Sequence, residues 1–250
     1  MSTAGVQRHL RIGPGVMPRY CLIPGDVGRA ERIAAMFDHR REVIRNREYL
    51  AFVGEVDGVP VAVCSTGIGG PSASIAVEEL ANIGVDTFIR VGSAGGRQPH
   101  IPIGSVAILY AAHRDEGTSR AYLPPEFPAV ADLAVTNALI DAARQLDQQA
   151  FVGIGTTRDA FYQKDENLTR LLTERGHVIA AEQEAATVFV VATVRQVRAG
   201  AVVAIDSNIW LPKPDPEEIQ RRFREGEAAA IRVALEAVKL LAQRDAAAGA

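Results

Sequence analysis

The segment Ile23–Arg32 joins a short apolar run to glycines and then to an amphipathic stretch that carries arginine in its first turn. A helix that begins at such a junction presents unpaired backbone N–H groups, and a guanidinium group adds a charged bidentate donor. We therefore expect Gly25 and Arg29 to be able to bind an oxyanion such as phosphate. The alternative is an ordinary helix start, with Asp26 as the N-cap and Arg29 in solvent. The segment contains neither GxGxxG nor a Walker lysine, so it does not indicate a dinucleotide or a nucleoside triphosphate.

Two further apolar runs end in small residues. Ser65–Leu80 passes through three glycines into a helical pattern, where backbone could approach a ligand closely and Ser72 could cap the helix. A tight turn without a ligand is the alternative for these glycines. Phe88–Gly95 places Arg90 inside the apolar run itself. Because an unpaired buried charge is costly, Arg90 requires an anionic partner, which is either a carboxylate or a bound anion.

Two carboxylates, Glu182 and Glu184, immediately precede an apolar helical pattern. Side chains two residues apart share one side of an extended chain but diverge on a helix. The spacing therefore favours an extended segment just before the helix begins. An ordinary interaction of the two negative charges with the positive N-terminal end of the helix dipole is the alternative to a ligand-binding role for the pair.

The elements that must position these residues follow an α/β pattern, in which short β-branched runs alternate with amphipathic stretches. We expect a mixed sheet flanked by helices, in one domain that covers residues 1–250. The predicted strands cover 20–24, 51–56, 59–65, 87–91, 105–111, 151–156, 177–180 and 201–205. The predicted helices cover 28–37, 72–83, 131–146, 166–175, 184–196 and 216–244. Asp57–Gly58 predicts a hairpin turn.

Composition limits the classes of protein and partner. The 250 residues are 48% hydrophobic and 23% charged, which is typical of a folded protein with a core rather than a disordered chain. A formal charge of −3 argues against nucleic acid or an anionic membrane as the partner and favours a small molecule. We expect Cys21 and Cys64 to be buried reduced thiols. The sequence contains no signal-peptide pattern and no apolar run long enough to span a membrane, so we expect a cytoplasmic protein.

The segments STGIGGPSASIAVEEL, PGDVGRAERI, NREY, RVGSAGG and EFPAVAD together resemble the nucleoside phosphorylase family, which includes uridine phosphorylase and the hexameric purine nucleoside phosphorylases. The resemblance extends from Arg8 to the last predicted helix. It implies a distorted barrel-like sheet and reversible, phosphate-dependent cleavage of a ribonucleoside to the free base and ribose 1-phosphate. It also implies inorganic phosphate as co-substrate, no metal or organic cofactor, and a homo-oligomer of dimers, usually a trimer of dimers.

The resemblance assigns roles to individual residues. The expected phosphate ligands are the Gly25 backbone, Arg29, Arg90, Ser93 and, from a neighbouring subunit, Arg47. His9 is expected to cross the same interface to the ribose 5′-hydroxyl. Glu184, supported by Glu182, is expected to accept hydrogen bonds from the ribose 2′- and 3′-hydroxyls. Gln183 replaces the methionine that packs under the sugar and base in the family.

The base-binding residues are less closely matched. Tyr162 resembles the aromatic residue that packs on the base, and a core tyrosine is the alternative. The glutamine and arginine that bind uracil in uridine phosphorylases have no counterpart, because Asp165 and Asn167 stand nearest those positions. Asp206 resembles the aspartate that protonates purine N7 and is expected to be catalytic together with Arg90. Trp210 of the same segment, DSNIW, is also expected to bind the base.

The sequence leaves alternatives for the general acid and for the reaction. Some purine enzymes of the family place the acid one residue later, where this chain has Ser207, and Asp206 could instead cap the following loop. Because the Asp206 segment resembles that of purine enzymes and the uracil-binding residues are missing, we expect a nucleoside phosphorylase that favours purines. The alternatives are a uridine phosphorylase, a nucleoside hydrolase or a catalytically silent nucleoside-binding protein.

Overall fold

A ten-stranded mixed β-sheet organises the chain. The structure is a computed structural model and describes residues 5–162 and 165–249. The strands are β1 (Tyr20–Leu22), β2 (Asp38–Asn46), β3 (Tyr49–Val56), β4 (Val59–Cys64), β5 (Thr87–Gly96), β6 (Val106–Asp115), β7 (Ala129–Val130), β8 (Ala150–Arg158), β9 (Ala180–Glu182) and β10 (Arg198–Asn208). The helices are α1 (Val27–Ala34), α2 (Gly70–Asn82), α3 (Thr118–Tyr122), α4 (Leu133–Gln145), α5 (Glu166–Glu174), α6 (Ala185–Arg195) and α7 (Pro216–Ala248).

Five of the strands close into a ring. The sheet order is β10-β6-β8-β9-β5-β1-β4-β3-β2. An additional parallel pairing of β10 with β5 closes the first five strands of this order into a ring. The remaining strands β1, β4, β3 and β2 extend outward from β5. The expected α/β fold with a mixed, distorted barrel-like sheet is confirmed.

Alternation along the strands divides the core into two layers, because successive side chains of a strand point to opposite faces. Phe88 of β5 belongs to the layer that α2 and α6 cover. Its neighbours Ile89 and Val91 belong to the layer that α1, α4 and α7 cover. The central strands are buried on both faces, which explains why their sequences are apolar throughout.

The differences from the predicted elements have local causes. The sequence did not indicate β2, because six of its nine side chains are exposed and these six are charged or polar. The short elements α3 and β7 were also missed, and the strand predicted at 177–180 lies instead at Ala180–Glu182. The expectation that Ser72 caps α2 was wrong, since the helix begins at Gly70 and the Ser72 hydroxyl donates to the carbonyls of Ile68 and Gly69.

The predicted Asp57–Gly58 turn and the predicted buried thiols are confirmed. Asp57 and Gly58 form the turn between β3 and β4, with positive φ values of 50° and 77°. Cys21 and Cys64 are buried and form no disulfide. Within the described ranges, no helix is long and apolar enough to cross a bilayer.

Candidate active site

Arg29 is held against β5 by a carboxylate from the last helix. Asp26 caps α1 by accepting from the Arg29 backbone N–H at 2.6 Å, as the sequence predicted. The Arg29 side chain is buried rather than solvated, so the alternative interpretation was right about the Asp26 cap and wrong about Arg29. Its Nε donates to Glu227 at 2.7 Å and its Nη1 donates to the Val91 carbonyl at 3.3 Å.

Glu227 of α7 was not anticipated from the sequence. Besides Arg29 it accepts from Arg32 at 2.9 Å and from Arg224 at 3.1 Å, and it is almost completely buried. Burial acts to raise the pKa of Glu227, but the hydrogen bonds from Arg32 and Arg29 outweigh it and leave the pKa below its ordinary value. The carboxylate is therefore ionised at neutral pH and fixes Arg29 through a buried ion pair.

Arg90 lies between the two carboxylates that the sequence singled out. Its Nε donates to Glu182 at 2.9 Å, and its Nη2 pairs with Glu184. All three side chains are buried. The anionic partner that Arg90 requires is thus a pair of carboxylates, and the predicted extended segment before α6 does turn both of them to one side.

Glu182 and Glu184 differ in how many protein groups they bind. Glu182 accepts from the Thr157 hydroxyl at 2.5 Å and from the backbone N–H groups of Glu184 and Ala185, each at 2.8 Å. It therefore caps the start of α6 as well as pairing with Arg90. Glu184 accepts from the Gly69 N–H at 2.7 Å, which brings the glycine-rich segment to the site.

The pKa of Glu184 is raised above its ordinary value. Burial is the main cause, the Arg90 charge opposes it, and the neighbouring Glu182 charge adds to it. A carboxylate that the protein leaves partly unsatisfied is suited to accept hydrogen bonds from a ligand.

Arg29 and Arg90 each keep one guanidinium nitrogen without a protein acceptor. In the part of the chain that the structure describes, Nη2 of Arg29 and Nη1 of Arg90 make no hydrogen bond. Neither is among the fully buried unpaired atoms, so both can be reached by solvent. Arg29 is anchored to the carbonyl of Val91, the residue after Arg90, so the two side chains meet the same short stretch of β5.

The other residues expected at the phosphate lie around this stretch. Ser93 is half-buried on β5, three residues after Arg90. Gly25 packs so closely on the second glycine segment that a Cβ on it would lie 3.0 Å from the Gly67 carbonyl oxygen. Arg47 is exposed in the two-residue turn between β2 and β3, with a φ of 56°. The Ser65 hydroxyl fixes this turn by donating to the Glu48 carbonyl at 2.5 Å.

His9 is clamped by Glu79 of α2, which the sequence analysis did not single out. Glu79 binds the His9 ring at Nδ1 at 2.6 Å and accepts from the His9 backbone N–H at 2.9 Å. Asn46 donates to the His9 carbonyl at 2.7 Å. The ring is therefore fixed through one nitrogen, while its expected contact with a neighbouring subunit stays a prediction.

Asp206 is the extra residue of a β-bulge. On either side of it, β10 pairs Ile205 with Ala94 and Ser207 with Gly95, so Asp206 has no partner on β5. Such bulges redirect side chains and are frequent beside active sites. The Asp206 carboxylate accepts from the Ser207 hydroxyl at 2.7 Å. It does not cap the following loop, because Asn208 accepts from the Trp210 N–H instead, at 2.8 Å.

Tyr162 and Asp165 flank residues 163–164, which lie outside the described ranges. Tyr162 is 91% exposed with its ring edge-on to Phe161, so the alternative of a core tyrosine was wrong. Gln183 donates to the Asp159 carbonyl at 2.9 Å and ties β9 to the loop after β8. Asp165 caps α5 by accepting from the Leu168 N–H.

A cavity of about 250 Å³ lies between the end of β8 and α5. Its wall includes Arg97, Arg158 and Asp159, of which Arg97 is the most buried. The pKa of Arg97 is lowered to about 10, mainly by burial and also by the Arg158 charge, while the Asp206 charge opposes both. Trp210 donates from its indole N–H to the Arg97 carbonyl at 2.8 Å. No pattern in the sequence indicated Arg97, which follows two glycines.

The described residues were also compared with the ligand sets that bind metal ions. Across residues 5–162 and 165–249, no cluster of three or more histidine, cysteine or acidic side chains could hold a metal ion.

Comparison with known proteins identifies the family. Residues 19–239 match the family described as the phosphorylase superfamily. The chain is 44% identical to a uridine phosphorylase of Thermococcus kodakarensis, over 96% of this chain and 88% of that protein. It is 37% identical to a guanosine phosphorylase of Halorubrum lacusprofundi, over 94% of this chain and 99% of that protein.

A solved structure shows the same fold. The crystal structure of a uridine phosphorylase from Vibrio fischeri ES114 superposes with a TM-score of 0.88 at 30% identity, covering 95% of this chain and 99% of that one. The resemblance of the sequence motifs to nucleoside phosphorylases is therefore confirmed over nearly the whole chain. On these matches, the chain belongs to the phosphorylase superfamily.

Proposed function

We propose that this protein catalyses the reversible phosphorolysis of ribonucleosides, which yields the free base and ribose 1-phosphate. The observation that carries the proposal is a pair of buried arginines, Arg29 of α1 and Arg90 of β5, both of which lie against β5. Arg29 and Arg90 are each fixed by carboxylates, yet each keeps a guanidinium nitrogen that no described protein group occupies. Donors that are fixed in place and unsatisfied suit a phosphate ion, which offers several acceptor oxygens.

In this reaction a phosphate oxygen forms a bond to C1′ of the sugar while the bond from C1′ to the base nitrogen breaks. The sugar passes through a state with oxocarbenium character, as in glycoside cleavage. Arg29, Arg90, Ser93 and the Gly25 backbone hold the phosphate against C1′, and Arg47 of a neighbouring subunit completes the set. Holding both reactants in a fixed orientation removes much of the entropic cost of their encounter.

Glu182 and Glu184 have different roles at the ribose. Glu182 is filled by Arg90, Thr157 and two backbone N–H groups, so it acts by positioning Arg90 and the start of α6. Glu184 is the acceptor for the 2′- and 3′-hydroxyls, with His9 of the neighbouring subunit at the 5′-hydroxyl. Gln183 lies between the two glutamates and borders the base side of the site.

Asp206 supplies a proton or a hydrogen bond to the departing base. General acid catalysis of this kind typically contributes about 10²- to 10⁴-fold in rate. The bulge supports this role because it leaves Asp206 outside the strand pairing. Tyr162 packs on the base, and Trp210 borders the same side of the site.

Two classes of base are candidates for the substrate. The names of the relatives include uridine and guanosine phosphorylases, so both a pyrimidine and a purine are candidates. A preference for purines remains the prediction made from the Asp206 segment, with uridine as the second candidate. A homo-oligomer of dimers, use of inorganic phosphate without a cofactor, and a cytoplasmic location complete the proposal.

The proposal is tested by incubating the purified enzyme with inosine or uridine, with and without phosphate, and measuring free base and sugar product. We expect base release that requires phosphate. Full activity in phosphate-free buffer would make the protein a hydrolase. Binding of nucleoside without base release at saturating phosphate would make it a silent binding protein.

A further inference from the structure

We propose that Arg97 reads the oxygen at C4 of a pyrimidine or C6 of a purine. The enzyme then selects uracil, hypoxanthine and guanine, which are oxo bases at this position, over cytosine and adenine, which are amino bases there. The inference rests on the proposed function and deepens it, because it assigns the substrate class. It also supplies a base-reading arginine to a chain that lacks the uracil-binding residues expected from its family.

The hydrogen bonding of Arg97 is incomplete. The residue is 5% exposed, and only its Nη1 is engaged, with the carbonyls of Gly95 and Gly96 at 3.3 and 3.2 Å. Among the described residues, Nε and Nη2 of Arg97 have no acceptor and no carboxylate pairs with it. A buried guanidinium left in this state is costly unless a ligand completes it.

The other buried arginines show the contrast. Arg29 and Arg90 have carboxylate partners. Arg114 has no carboxylate, but all three of its nitrogens donate, to the Ser119 hydroxyl and to three backbone carbonyls. Arg114 is therefore satisfied as a structural residue. Arg97 is the buried arginine of the described ranges that keeps two nitrogens for another partner.

Arg97 lies beside the proposed acid. Nη1 of Arg97 and the Ser207 hydroxyl flank Gly95, at 3.0 and 3.1 Å from the position that a Cβ on that glycine would take. Ser207 in turn donates to Asp206. The Asp206 charge also acts on Arg97, since it opposes the fall in the Arg97 pKa. A base that receives a proton from Asp206 would thus lie within reach of the Arg97 guanidinium.

The cavity next to Arg97 provides room for the ligand. Arg158 faces the same cavity, and its charge repels that of Arg97, which favours a ligand rich in acceptors. Three aspartates also line the wall, namely Asp115, Asp159 and Asp165, and none of them bonds to Arg97. Asp159 accepts from the Gly117 N–H and Asp165 from the Leu168 N–H. The bond from Gln183 to the Asp159 carbonyl connects this cavity to the carboxylate pair.

Selectivity follows from the chemistry of arginine, which donates hydrogen bonds but cannot accept them. A carbonyl oxygen on the base satisfies the unfilled nitrogens. An amino group in the same place leaves two donors facing each other in a buried site, and sites of this type discriminate strongly.

The test compares wild type with Arg97→Met and Arg97→Lys on five nucleosides at saturating phosphate, namely uridine, inosine, guanosine, cytidine and adenosine. We expect wild-type kcat/KM to be at least tenfold higher for the oxo nucleosides. Arg97→Met should lower kcat/KM at least tenfold for these and much less for the amino nucleosides, while Arg97→Lys restores part of the preference. Arg144→Met, which changes an exposed arginine of α4, is the matched control and should leave the preference unchanged.

Thermal melting separates binding from structure. Because Arg97 lacks a counter-ion, Arg97→Met should melt at or above the wild-type temperature. An Arg97→Met protein that fails to fold, or that loses activity equally on both classes, would overturn the inference, as would a wild type without preference for oxo bases. A wild type that releases no base from any of the five nucleosides would instead overturn the proposed function.

Discussion

Replacing Glu227 by glutamine tests how the fold holds Arg29 at the proposed phosphate site. Glutamine keeps the shape of the side chain and one acceptor oxygen, but it removes the negative charge. Arg29, whose side chain is 6% exposed, then loses its counter-ion and retains a bond to the Val91 carbonyl. Arg32 and Arg224 lose the same partner but are 38% and 49% exposed, so water screens their charges.

The size of the effect follows from the buried pair. Removing one partner of a buried ion pair costs about 3–5 kcal/mol. The remaining amide oxygen can still accept from Arg29, so we expect the lower end, about 3 kcal/mol. For a chain of this length 1 kcal/mol shifts the melting temperature by roughly 2–4 °C, which gives a fall of about 6–12 °C.

The assay is thermal unfolding with and without phosphate. Phosphate should raise the melting temperature of Glu227→Gln by more than that of wild type, because the bound anion replaces the missing counter-ion of Arg29. Glu225→Gln is the control, since Glu225 lies two residues earlier on the same helix with its side chain 63% exposed. We expect the control to change stability by less than about 0.5 kcal/mol.

The pH dependence has a definite sign. The pKa of Glu227 is lowered, so its ion pairs stabilise the fold above the ordinary glutamate pKa, and this stability is lost as the pH falls through the lowered value. The difference between Glu227→Gln and wild type should therefore disappear in acid. If Glu227→Gln melts like wild type at neutral pH, or if phosphate stabilises both proteins equally, Arg29 is not held as described.

Three further predictions concern catalysis. Asp206→Ala should lower turnover of inosine at least tenfold, because the base departs without its proton donor, and an unchanged rate would remove Asp206 from the mechanism. Glu184→Gln should reduce kcat/KM more for a ribonucleoside than for its 2′-deoxy counterpart, and equal losses would show that Glu184 does not bind the 2′-hydroxyl. The pKa of Glu184 is raised, so wild-type kcat/KM should fall with decreasing pH at values above about 4.3, the ordinary glutamate pKa. A profile that stays flat down to that pH would contradict a role for ionised Glu184.

Most of the fold could be predicted because hydrophobic pattern and turn chemistry act locally. Apolar runs such as those of β4 and β10 are buried on both faces, and Asp57–Gly58 adopts the turn that its residue types favour. The strand β2 could not be found in this way, since its exposed polar side chains carry no burial pattern.

The candidate site was predictable only in part. The sequence indicated Arg29, Arg90 and the carboxylate pair, because Arg90 interrupts an apolar run and the others lie where a predicted strand is followed by a helix. It did not indicate Glu227 or Glu79, whose partners lie 198 and 70 residues away along the chain. Such pairs are set by the packing of helices on the sheet. The burial of Arg97 likewise arises from long-range packing rather than from its neighbours in sequence.

Phosphorus NMR of the enzyme with a nucleoside and inorganic phosphate shows whether phosphate is the nucleophile that attacks C1′. Arg29 and Arg90 are proposed to orient phosphate for attack on C1′, so the phosphate signal should decrease while a sugar 1-phosphate signal grows in step with free base. Release of free base with an unchanged phosphate signal would show that phosphate does not attack C1′ and that Arg29 and Arg90 do not serve this reaction.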